Sequence, residues 1–132
     1  MKKINKVFTN IVAVGILTVG LGSFANAATT YHDYGGKVPV INDLESTNAV
    51  KDNTGTAYNF VKYIQRGKLV SWVENSGNSN VTTSGTYTTR ATIPMDYQGN
   101  ASSLIGKQLH LNISTAVGTL DSVDTSGEWT PS

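Results

Sequence analysis

"KQLHLNIST", residues 107–115, alternates apolar and polar side chains without a break. Leu109, Leu111 and Ile113 fall on one side; Gln108, His110, Asn112 and Ser114 fall on the other. A period of two residues belongs to a β-strand with one face in a core and the other toward water. A helix of this length would instead repeat its apolar residues three and four apart. The stretch therefore predicts a strand, with His110 on its solvent side.

Working outward, the same reading extends to most of the chain. In "AYNFVKYI" (57–64), Tyr58, Phe60 and Ile64 share one face, and Ala57, Val61 and Tyr63 the other. Gln65-Arg66-Gly67-Lys68 reads as a turn, and Leu69 to Glu74 resumes as a strand carrying Val70 and Trp72 on one face. Together these segments predict a β-hairpin. "NSGNSN" (75–80) is a loop of turn-forming residues, and "GTYTTRATI" (85–93) is a further strand ended by Pro94. Ser122 to Trp129 is the last candidate strand. Before Thr56 the chain is rich in turn signals, such as Gly35-Gly36 and Asp52-Asn53-Thr54-Gly55. Only Val38 to Ile41 reads as extended there, and Pro39 confines it to an edge. The expectation is an irregular segment over 28–55 and a β-rich domain over 56–132. The fold class is all-β, a small antiparallel sandwich or barrel. Its predicted core is Tyr58, Phe60, Ile64, Val70, Trp72, Tyr87, Ile93, Leu109, Leu111 and Ile113.

Residues 1–27 carry a different signature. Lys2, Lys3 and Lys6 precede an apolar run of eleven residues, Ile11 to Leu21, and Ala25-Asn26-Ala27 follows. A membrane-spanning helix needs roughly 20 apolar residues. This run is short, and the small residues at 25 and 27 suit a signal peptidase. The expectation is a secretory signal peptide cut after Ala27, leaving a soluble extracellular chain with no stable membrane insertion. Bacterial export fits the absence of cysteine, which also removes lipid attachment at a lipobox, thiolate metal sites and cysteine nucleophiles.

The charge balance excludes some partners. The whole chain has ten Lys and Arg against nine Asp and Glu, a formal charge of +1. Without the three N-terminal lysines the balance is seven against nine, or −2. Nucleic acid and anionic lipid both require clustered cations, so neither is an expected partner. Catalytic signals are sparse. His32 stands beside Asp33, where an acid–base pair or a metal site is conceivable, but a polar residue near a chain end is the simpler reading. No G-x-S-x-G elbow marks a serine nucleophile, and Asp121 and Asp124 lack the other ligands of a calcium loop. Glu74 and Glu128 would act together only if the fold joined them. No catalytic residue, cofactor or metal is assigned. The candidate binding surface is aromatic: Tyr31, Tyr34, Tyr97 and Trp129 lie in predicted loops or at ends. Trp129 has a second reading, which ranks first, as a C-terminal plug that closes the sandwich.

The Tyr/Trp segment around "GKLVSWVENSG", the "GKQLHLNIST" strand and the ending "TSGEWTPS" resemble a group of small secreted proteins of Gram-positive bacteria. That group ends in a strand carrying S-G-x-W, here Ser126, Gly127 and Trp129. The resemblance spans about Thr54 to Ser132. It implies secretion and a β-rich fold, and it brings no site residue with it. Members of that group are similar in size and build to secreted bacteriocins, whose characteristic residues this chain lacks. The expected function is a secreted, non-enzymatic binding or interaction module with cell-wall glycan or a surface protein as partner. A bacteriocin-like antimicrobial protein is the alternative, followed by a small extracellular hydrolase.

Overall fold

The structure is a computed structural model that describes residues 29–132; the signal-peptide reading of 1–27 lies outside the described residues. The described chain is an all-β sandwich of two antiparallel sheets. Its strands are β1 (His32–Val38), β2 (Leu44–Glu45), β3 (Ala49–Val50), β4 (Ala57–Ile64), β5 (Leu69–Asn75), β6 (Gly85–Tyr87), β7 (Ala91–Met95), β8 (Gln108–Thr115) and β9 (Val123–Thr130). Sheet A has the order β1-β9-β4-β7; sheet B has the order β2-β8-β5-β6, with β3 also paired to β8. The segment over 107–115 forms β8 as expected, with Leu109, Leu111 and Ile113 buried.

The expected hairpin is a corner instead. β4 pairs with β7 and β9, whereas β5 pairs with β6 and β8. The turn at 65–68 therefore carries the chain from one sheet to the other. Gly67, at φ 71, supplies the left-handed residue that this corner requires. Turn chemistry reports that a chain reverses; it does not report whether the two arms hydrogen-bond. The run 85–93 is divided in the same way, since β6 and β7 belong to different sheets. Pro94 lies inside β7 rather than ending it, which an edge strand tolerates because its outer N–H groups have no ladder to join.

Within residues 29–55 the chain forms β1, β2 and β3. β1 pairs with β9 along seven positions, from His32↔Trp129 to Val38↔Val123. The strand there ends at Val38, where the expected one began, and Val40 and Ile41 are exposed in the following loop.

The face assignment on β4 and β5 is also corrected. Ala57, Asn59 and Val61 point into the core from β4, and Leu69, Ser71 and Val73 from β5. Tyr58, Phe60, Val70 and Trp72 are half-buried on the outer faces. The interior is already filled by Trp129, Tyr34, Tyr87, Met95 and Leu111. A core packed at crystal density has room only for small groups next to such side chains. Asn59 is accommodated because Tyr34 donates to its Oδ1 (2.7 Å) and its Nδ2 donates to Ser71 Oγ (3.1 Å). A register shift between Val61 and Tyr63 then turns Ile64 back toward the core. Of the predicted core, Tyr87, Leu109, Leu111 and Ile113 are buried, and Ile64 and Ile93 pack against them.

Candidate functional site

The four aromatics expected on a binding surface do not share one. Trp129 is fully buried, so the plug reading is the one the fold realises. Its strand is the second of sheet A, and the ring enters between the sheets, 6.0 Å from the His32 ring. Tyr34 is also in the core, because the segment expected as a loop is strand β1. Burial raises its phenol pKa well above the ordinary value, so it stays a neutral hydrogen-bond donor. Tyr97 is half-buried, donates to the Pro131 carbonyl (2.8 Å) and lies beneath the Lys51 ammonium. Tyr31 alone of the four faces the outside of sheet A.

On that outer face Tyr31 joins Phe60 and Tyr58, two residues that the sequence assigned to the core. The Phe60 ring meets Tyr31 edge-on at 5.3 Å and Tyr58 in a stacked arrangement at 5.9 Å. Tyr63, just past the bulge, is half-exposed at 50%. Polar groups rim these rings. Lys62 bonds Glu128 at 2.5 Å, and Glu128 stands opposite both Asp33 and Phe60 in the strand register. Partial burial raises the Asp33 carboxyl above its usual range, the neighbouring Glu128 raises it further, and Lys62 opposes them. Next to Phe60, an open depression of about 330 Å³ is lined by Lys62, Arg90 and Thr92 among others. The arrangement offers an apolar cluster of rings with hydrogen-bonding groups of both charges around it.

His32 does not acquire Asp33 as the partner considered for it. His32 and Asp33 are neighbours on a strand, so their side chains leave opposite faces. Burial lowers the His32 pKa, with Asp52 opposing the shift, and Asp33 takes no part. Glu74 and Glu128 lie on the outer faces of different sheets, separated by the core, and form no carboxylate pair. His110 points to the outer side of sheet B as expected but is only 5% exposed. Around it the fold gathers Glu74, its cross-strand partner, and Glu45. These three residues are remote in sequence, and nothing in their local patterns links them.

One end of the sandwich carries the loops 39–43 and 116–122, which spring from the paired positions Val38 and Val123. Val40, Ile41, Val117 and Leu120 are exposed there. Among the described residues no helix is long and apolar enough to cross a membrane. Comparisons with protein families, curated proteins and solved structures found no match.

Proposed function

We propose that the chain is a secreted, non-enzymatic β-sandwich that works by contact outside the cell, and that the aromatic face of sheet A binds cell-wall glycan. The observation that carries this reading is the Tyr31–Phe60–Tyr58 cluster held outside the core. A pyranose ring presents an apolar face of C–H groups and a rim of hydroxyls. Aromatic rings match the first, and charged groups placed around them match the second. Asp33, Glu128, Lys62 and Arg90 are the rim groups here. Secretion rests on the Lys-rich start, the short apolar run and Ala25-Asn26-Ala27.

Sedimentation of the purified protein with isolated Gram-positive walls tests the contact. Tyr58→Ala and Phe60→Ala should each lower the bound fraction several-fold while the circular dichroism spectrum stays that of a β-protein. Leu120→Ala, at the loop end, should leave binding unchanged. If the double variant at 58 and 60 binds as the parent does, the aromatic face is not the contact surface. Growth inhibition of bacterial lawns would favour the antimicrobial alternative, and glycan turnover lost in Asp33→Asn would favour the hydrolase. Intact-mass analysis of culture supernatant should find a chain beginning at Ala28; a cell-bound chain beginning at Met1 contradicts secretion.

A further inference from the structure

We propose that Glu45, Glu74 and His110, on the outer face of sheet B, form a site for a divalent transition-metal ion, with Zn²⁺ the best fit. One donor atom from each residue lies within 4.8 Å of the other two. His110 Nε2 is buried and has no hydrogen-bond partner. It faces Glu74 Oε1 at 3.4 Å, beyond the usual range of an N–H···O bond. A buried imidazole nitrogen without a hydrogen bond costs free energy unless something else engages its lone pair or proton.

The geometry matches a bridging metal. Zn²⁺ binds imidazole nitrogen and carboxylate oxygen at about 2.0–2.2 Å, and tetrahedral angles then place two ligand atoms about 3.4 Å apart. The His110–Glu74 separation has this value. Glu45 is exposed on the short strand β2, so a side-chain rotation brings its carboxylate the remaining distance. Two carboxylates and a neutral imidazole balance the 2+ charge. A nitrogen donor among oxygens selects zinc and its neighbours over Ca²⁺ and Mg²⁺.

The surrounding groups support the three donors. Trp72 Nε1 donates to Glu74 Oε2 at 2.8 Å, which orients the carboxylate and leaves Oε1 toward the histidine. Asn112 stands on the same face of β8 and opposite Glu45; its Nδ2 donates to Asp43, while its Oδ1 is buried and unpartnered. It is a further oxygen donor next to the cluster. A sheet face turned away from the core has no packing reason to bury a histidine beside two carboxylates, one half-buried and one exposed.

Isothermal titration of the protein in chelator-free buffer at pH 7.5 with ZnCl₂, and separately with CaCl₂ and MgCl₂, tests the site. One Zn²⁺ per chain should bind, at least tenfold more tightly than either Ca²⁺ or Mg²⁺, and raise the melting temperature. Glu45→Gln, an exposed change that leaves the core intact, should weaken Zn²⁺ binding at least tenfold, as should His110→Gln. Cobalt substitution should give the intense visible absorption of a tetrahedral site, absent in His110→Gln. His32→Gln should change none of these. The absence of one-to-one Zn²⁺ binding, equal affinity in Glu45→Gln, or loss of binding in His32→Gln would each overturn the proposal.

Discussion

Two residues show how closely single side chains are fitted. Gly127 lies where β9 runs between β1 and β4, and a Cβ there would stand within van der Waals overlap of both the Phe60 carbonyl and the Tyr34 hydroxyl. The Phe60 contact is backbone and cannot rotate away. Gly127→Ala should therefore cost at least about 2 kcal/mol, read from chemical denaturation. Lys51 is the second case. Its fully buried ammonium donates to the carbonyls of Gly55, Pro131 and Ser132, and lies 4.0 Å from the Tyr97 ring centroid. Burial pulls its pKa down from 10.5 to about 8. Between these values the unfolded chain keeps a proton that the folded chain releases, so stability from this group rises with pH. The slope is at most about 1.4 kcal/mol per pH unit. It should be visible from pH 8 to 9.5, before unfolded-state tyrosines ionise, and Lys51→Met should remove it. Identical pH profiles for parent and variant would contradict the assignment.

At the scale of the element, β4 and β5 invert the rule that the bulkier face is the buried one. Val73 is fully buried, while Val70, three positions earlier on the same strand, is half-buried on the outer face. Val73→Ala should cost about 2 kcal/mol and Val70→Ala under about 1 kcal/mol. Equal costs would mean that β5 presents its other face to the core. Leu111, on the strand whose alternation was legible from the start, should cost about 2–5 kcal/mol when truncated to alanine. The bulge in β4 explains why parity fails within one strand. Lys62 is the residue left over where Val61↔Gly127 is followed by Tyr63↔Ser126. Before it the odd positions face inward; after it Ile64 does.

For the whole molecule, the connections are what make the two sheets one unit. The turns after β1, β3, β4, β6, β7 and β8 each pass from one sheet to the other. Neither sheet is built from a continuous length of chain, so neither should persist alone. The segment that opens the described chain is part of this arrangement, since β1 contributes Tyr34 and Val38 to the core. A chain that starts at Pro39 should lose the cooperative thermal transition of one that starts at Ala28. Retention of the same transition would show that β1 is dispensable.

The sequence by itself determined the class of local structure and the parity of the clearest strand. Leu109, Leu111 and Ile113 alternate with polar residues strongly enough that only one face of β8 suits a core. It also made Trp129 legible as a plug, because a lone large ring ending a polar strand has few other places to go. Only the tertiary structure decided the rest. Which face of β4 is buried depends on the volume of Trp129 and Tyr34 beside it on the inner face of sheet A, and on Asn59 finding Tyr34 and Ser71 as hydrogen-bond partners. Those partners come from β1 and β5, and local periodicity holds no record of them. The same reason hid both surfaces of interest. Phe60 meets Tyr31 across β9, and His110 meets Glu45 from the neighbouring strand, because segments distant in sequence share one face of a sheet. Periodicity tells a side chain which way to point along its own strand, and the pairing of strands decides what it meets there.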